Sequence, residues 1–269
     1  MADDLQDLCA DLAAEHAALD AVVADLDDAA WDTPTASPRW AVRDQIGHLA
    51  YFDEAATEAI TEPERFAADL ASALSGDVAA FLASTEEGGR TLPPADLLAW
   101  WREQRAALLA AAAPLHPKTR VPWYGPSMGA RSFVTARLME TWAHGQDVVD
   151  AIGASRPATD RLRHVADLGV RTRAFSYVVK DRPAPDGEVR VELVGPSGDT
   201  WSWGDPDAPD RVTGPAEDFC LVVTQRRHPD DTALVADGDL ATEWLSIAQC
   251  FAGGPSLGPP PRAATGAPS

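Results

Sequence analysis

The stretch ARLMETWAHGQDVVD, residues 136–150, carries Arg137, Glu140, His144 and Asp147 at steps of three, four and three. Side chains so spaced share one face of an α-helix. Glu140 and His144 form an i, i+4 pair, the separation at which two side chains of one helix converge on a common ligand. The same spacing describes an ordinary solvated pair worth ~0.2–0.5 kcal/mol, so the pair needs a third member before it becomes a site. His48 supplies one. It lies in WAVRDQIGHLAYFDEA, residues 40–55, at the border of an apolar face made by Val42, Ile46, Leu49 and Phe52. A lone histidine there is commonly a core residue that needs only one hydrogen-bond partner. Together with Glu140 and His144, however, it completes a His₂Glu set. Three protein ligands with an open fourth position describe a catalytic zinc centre.

Asp147 follows His144 by three residues. It could accept the free N–H of a ligand imidazole and fix its tautomer, act as a site acid or base, or face solvent as a plain charge. Arg137 has a simpler reading as a partner of Glu140 or of a neighbouring acid. His16 sits in an acidic helix that looks exposed, His116 in a proline-rich loop, His164 in a charged helix and His228 just after a helix. None has a partner at ligand spacing, and all four read as surface or capping residues. Trp123 and Tyr124 lie in the loop that enters the ligand helix and could either wall a pocket or pack in the core.

These residues need a scaffold. Apolar residues recur at helical spacing over residues 3–30, and the turn cluster DTPTASP, residues 32–38, separates them from a second helix over 39–60. Pro63 opens a third helix over 64–83, ending before EEGGRTLPP. A fourth begins near Pro94 and stops before Pro114. The segment HPKTRVPWYGPSMGARS, rich in proline and glycine, reads as irregular and leads into the ligand helix. A further helix spans 159–180, with Leu162, Val165, Leu168, Val170 and Phe175 as core candidates. Beyond KDRPAPDGE the period changes. EVRVELVG and DTWSWG alternate as strands around the turn PSGD, DRVTG is a short strand, and PAEDFCLVVTQRRH opens a helix at Pro215. TALVAD reads as a strand and LATEWLSIAQCFA as a last helix. The tail, residues 253–269, is low-complexity and reads as disordered. The expectation is an α+β protein: a helical bundle over 1–182, a small α+β domain over 183–252, and the tail.

Composition narrows the function. With 42 acidic against 22 basic residues, the net charge of -20 repels nucleic acid and anionic lipid. No apolar run approaches the roughly 20 residues of a membrane span, and the acidic N-terminus is not a leader. A cytoplasmic protein is expected. Cys9, Cys220 and Cys250 form no paired spacing and read as reduced, buried thiols. Nucleotide-binding glycine loops and CxxC pairs are missing from the sequence.

The motifs WAVRD with GHL (residues 40–44 and 47–49) and ETWAHGQD (residues 140–147) resemble the DinB-like metal enzymes, in particular the mycothiol-dependent maleylpyruvate isomerases of actinobacteria. The resemblance implies an up-down-down-up helical bundle. It implies that His48, Glu140 and His144 hold a divalent metal, usually zinc, and that Asp147 is the functional acid after the second ligand histidine. VTGPAEDFCLVVTQRR, residues 212–227, resembles the family's Gly-Pro-Ala-x-Asp helix, whose functional arginine matches Arg226, with Arg227 adjacent as the alternative. VPWYGPSM and CLVVTQRRH depart from the isomerases and resemble a longer actinobacterial subgroup of metal-binding proteins.

In activity, the resemblance implies a zinc-dependent isomerase or S-transferase. Such an enzyme would act on an electrophilic conjugated small molecule with mycothiol, or another low-molecular-weight thiol, as cosubstrate. Arg226 would hold a substrate carboxylate or enolate across a domain cleft. Two alternatives stand beside it: a thiol-independent metal-dependent isomerase, lyase or hydrolase of secondary metabolism, and a non-catalytic metal- or small-molecule-binding protein.

Overall fold

A computed structural model describes residues 3–262. The chain divides into two compact units, residues 1–156 and 157–269. The helix expected over 159–180 therefore belongs to the second unit, ahead of the sequence boundary at 182. No described helix is long and apolar enough to cross a membrane.

The first unit is helical. α1 (Asp3–Val23) buries Leu5, Leu8, Leu12, Leu19 and Val23, a stripe of helical period. α2 (Val42–Thr61) begins where the Asp44 carboxylate accepts a hydrogen bond from the Ala41 N–H at 2.7 Å, satisfying a donor of the helix entry. The loop before it is pinned by Val42 N–H to Thr33 O and Thr35 N–H to Trp40 O. The turn is completed by Arg39 in the left-handed region at φ 68°. α3 (Pro63–Ser75) and α4 (Val78–Thr91) replace the single expected third helix. The break falls at Gly76–Asp77, where the Asp77 side chain accepts from Ala80 N–H at 3.0 Å and starts α4. α5 (Pro94–Ala112) and α6 (Ala130–Ile152) complete the unit, and α6 ends on Gly153 at φ 65°. The core shared by α1, α2, α5 and α6 contains Leu19, Val23, Ile46, Leu49, Leu97, Trp101 and Val148.

EEGGR does not follow the helix but lies inside α4, in its last turns. A Cβ on Gly47 would lie 2.4 Å from the Cα of Gly89, and one on Gly88 would meet the Trp100 ring at 2.5 Å. The glycines let α4 approach α2 backbone to backbone, directly beside His48. The loop before α6, expected to be irregular, holds a short antiparallel ladder of β1 (Arg120–Val121) and β2 (Met128–Gly129). His16, expected at the surface, is only 2% exposed.

The second unit opens with α7 (Leu162–Arg171) and α8 (Arg173–Val178), the expected helix broken at Thr172. Leu162 and Val165 are buried, but Phe175, expected in the core, is exposed. A mixed sheet follows: β3 (Val189–Val194), β4 (Thr200–Trp203), β5 (Asp210–Pro215) and β6 (Val235–Asp237), in the order β4-β3-β5-β6. β3 and β5 run parallel with Val191 opposite Val212, and the outer pairs are antiparallel. Val189, Val191 and Leu193 alternate inward. α9 (Ala216–Val223) continues β5, and α10 (Asp239–Ile247) is capped by Asp210 Oδ1, which accepts from Leu240 N–H at 2.7 Å. The architecture is thus mostly helical with a small mixed sheet, an α+β protein.

All three cysteines are buried and reduced, and burial pushes the Cys220 thiol well above its ordinary range. Of the tail, residues 253–262 are held down: Gln225 Nε2 donates to Ser256 O at 2.7 Å, and Arg262 N–H donates to the Asp231 carboxylate at 2.9 Å. Residues 263–269, also expected to be disordered, lie outside the described residues.

Candidate metal centre

Three elements build the site in the first unit. α2 offers His48, α6 offers Glu140 and His144 one turn apart, and the loop before α2 lays Trp40 over both imidazoles. The Trp40 ring stacks on His144 at 5.8 Å and 27° and lies 5.1 Å from His48. Phe52, one turn further along α2, packs against His48 at 4.5 Å. One ligand atom from each of His48, Glu140 and His144 lies within 4.8 Å of the other two. Glu140 Oε2 is 3.0 Å from His144 Nε2 and 3.9 Å from His48 Nε2. Two atoms bound tetrahedrally to one zinc are roughly 3.3 Å apart, given zinc–ligand bonds of about 2.0–2.1 Å, so the spacing suits a shared ion.

The hydrogen bonds behind His144 fix its chemistry. The Thr35 hydroxyl donates to Trp40 O at 3.0 Å, so it accepts from Gln45 Nε2 at 2.9 Å. That turns Gln45 Oε1 toward His144 Nδ1, 2.5 Å away. Nδ1 must then carry the proton, and a neutral His144 presents the lone pair of Nε2 to Glu140. A lone pair and a carboxylate 3.0 Å apart repel unless a proton or a cation lies between them. The nitrogen–oxygen donor set, the convergence and this acceptor-against-acceptor geometry all fit a divalent ion.

The electrostatics agree. Burial pushes the His48 imidazole down to about 4, with His144 adding to the shift against the pull of Glu140. The histidine is therefore neutral and ready to ligate near pH 7. Burial alone would raise the Glu140 carboxyl, but the two imidazoles beside it, His144 foremost, hold it well below the usual carboxylate range.

Asp147 is buried, 4% exposed, with the Ser37 hydroxyl 3.5 Å from Oδ2. The Nδ1 partner of His144 is Gln45, not Asp147, because α2 brings the amide to that nitrogen first. Arg137 reaches neither Glu140 nor solvent. It donates through Nε and Nη2 to Asp53 Oδ1 at 3.1 and 2.8 Å. Arg226 lies in the second unit, in the turn after α9, where Gln225 takes φ 60° and Arg226 Nη1 donates to Thr224 O at 2.7 Å. Arg227 follows it and donates to Arg226 O at 2.8 Å. Trp123 and Tyr124 join an aromatic cluster with Phe52 and Phe66. Sequence reading missed Gln45 and Trp40 as site residues. The only available signal was position, since Gln45 precedes His48 by three and Trp40 opens the WAVRD motif.

Gln45→Ala is expected to weaken metal binding by ~10–100-fold, the usual cost of removing a group that orients a ligand imidazole. Asp147→Asn should leave binding within a few-fold. Competition with a chromophoric chelator reads both, and an equal loss in the two variants would return the orienting role to Asp147.

A helical unit carrying a His₂Glu cluster, followed by a small mixed-sheet unit, defines a class of two-unit α+β proteins with a candidate metal centre in the helical part. Comparison with known proteins places the chain within it. The family model described as the mycothiol maleylpyruvate isomerase N-terminal domain matches residues 12–149, and the chain belongs to that family. A second model, described as wyosine base formation, matches residues 185–237. Uncharacterized proteins from two strains of Mycobacterium tuberculosis are 48% identical over 249 residues, covering 93% of this chain and 96% of theirs. The fold is that of the crystal structure of the mycothiol-dependent maleylpyruvate isomerase. The match has a TM-score of 0.56 at 16% identity and covers 86% of this chain and 92% of that one. A histidine-to-alanine mutant of that isomerase matches equally.

Proposed function

We propose that the chain is a divalent-metal enzyme, with zinc the best fit, that isomerises an electrophilic conjugated small molecule or transfers a thiol to it, using mycothiol or a similar thiol. The observation that carries this reading is the convergence of His144 Nε2 on Glu140 Oε2 at 3.0 Å with His48 alongside, while Gln45 holds the far nitrogen of His144. His48, Glu140 and His144 would hold the ion. Bound there, zinc would supply a Lewis acid that favours thiolate over thiol near neutral pH.

The chain's own groups do the rest. Gln45 holds His144 in the ligating tautomer. Trp40 and Phe52 shield the imidazoles from water, which strengthens local electrostatics. Asp147, buried three residues beyond His144, is the proposed proton shuttle. Arg226 is the proposed anchor for a substrate carboxylate, a task suited to its planar donor fork, with Arg227 as the alternative. The family membership and the fold of the isomerase support the thiol chemistry.

Zinc-loaded protein given maleylpyruvate and mycothiol is expected to change the substrate's ultraviolet absorbance only when both metal and thiol are present. Full turnover after chelation and desalting would overturn the metal reading. Undiminished turnover without thiol would move the protein to thiol-independent isomerase, lyase or hydrolase chemistry.

A further inference from the structure

A cavity of ≈ 400 Å³ opens in the first unit; Tyr124 of its wall packs on Phe52, which in turn packs on His48. Four aromatic residues line it: Tyr51, Phe66, Phe81 and Tyr124. The Tyr124 ring stands nearly perpendicular to Phe66, at 86° and 5.6 Å, and to Phe52, at 74° and 5.4 Å, so the rings form a corner rather than a stack. Three carboxylates, Glu54, Glu58 and Asp69, share the lining, which contains no basic side chain. Arg65, 60% exposed, reaches Glu58 at 2.9 Å and Asp69 at 3.6 Å from outside the lining, so one positive charge faces three negative ones. Glu54, exposed to solvent, accepts from Trp100 Nε1 at 3.3 Å, a neutral partner. The two phenols hydrogen-bond to each other, and burial pushes both above their ordinary range, so they stay neutral.

This lining selects by charge. An anion would meet three carboxylates. A neutral apolar ligand would gain nothing from the three carboxylates, of which Glu54 and Asp69 are exposed. A cation with apolar substituents satisfies both halves of the wall, because its charge faces the carboxylates while the ring faces attract it through their quadrupoles. The volume falls within the range of small-ligand pockets. We propose that this cavity is a binding site for a small organic cation, an ammonium group on an apolar body. The site uses none of the three candidate metal ligands.

The test is calorimetric titration of the full chain with choline and with its uncharged isostere, 3,3-dimethylbutan-1-ol. Choline is expected to bind saturably and at least about tenfold more tightly than the isostere, a margin set by the cation–π attraction. Phe81→Ala and Glu58→Gln are each expected to weaken choline by about fivefold or more, while Glu64→Gln, outside the lining, leaves it unchanged. Circular dichroism checks that each variant is folded. Binding should persist after chelation of metal. No saturable binding, equal binding of the isostere, or loss of choline binding on chelation would each overturn the proposal. None of these results depends on whether the metal centre is catalytic.

Discussion

Glu140→Ala is expected to abolish stoichiometric metal binding. Glu140 is the only carboxylate of the cluster, and its Oε2 stands between two imidazole nitrogens at 3.0 and 3.9 Å. Without it, two neutral imidazoles face the ion. Histidine pairs do bind zinc, but a two-ligand site lacks both the third bond and the charge that offsets part of the metal's own. Loss of a group that merely orients a ligand costs ~10–100-fold, so loss of the ligand itself should exceed about 100-fold. Metal analysis after desalting should fall from about one equivalent, as expected for a single three-ligand site, to a trace. The rise in melting temperature on adding zinc should vanish with it, since a ligand stabilises the state it binds. Glu140→Gln is the finer version: it keeps the shape and removes the charge, and it should fall between wild type and alanine. One retained equivalent in Glu140→Ala would place the ion elsewhere.

The three grouped residues could be read from sequence because two of them sit on one helix turn and the third shares a motif with a glycine. Gln45 could not. A glutamine carries no charge pattern, and its partner is 99 residues away. The same limit hid Arg137, whose acid lies on another helix. It also hid His16, whose acidic helix looks solvated although α1 turns that position inward. Periodicity located the elements that bury one face, such as α1 and β3. It failed at EEGGR, where glycine normally marks an end, because the gain there is tertiary: Gly47 and Gly89 allow two helix backbones to touch. It also failed at residues 253–262, where hydrogen bonds from Gln225 Nε2 and to the Asp231 carboxylate hold a segment whose composition looks disordered.

Asp53→Ala is expected to destabilise the first unit by ~3–5 kcal/mol, because it leaves the Arg137 guanidinium buried without its counter-charge. The two residues are 0% and 3% exposed. Arg137 lies one turn before Glu140 on α6, and Asp53 lies beyond His48 on α2, so their ion pair clamps together the two helices that carry the candidate ligands. His16 adds to the polarity of this interior. Its Nε2 is 3.7 Å from Asp53 Oδ2, and burial pushes the imidazole down to about 4, so it is neutral and offers Asp53 no counter-charge. Arg137 is thus the principal compensation, and its loss should be as damaging as that of Asp53. Replacing both, as Asp53→Leu with Arg137→Met, should recover a large part of the loss, since a buried pair is often no more stabilising than apolar side chains of similar volume. Urea unfolding of the two single variants and the double variant gives the coupling directly. If Asp53→Ala unfolds within about 1 kcal/mol of wild type, far short of the cost of an uncompensated buried charge, the guanidinium has found another partner and the clamp does not exist. If the clamp does hold, the double variant separates its two roles: recovered stability with weakened metal binding would mean that the pair sets the spacing of His48 and Glu140 rather than the strength of the fold.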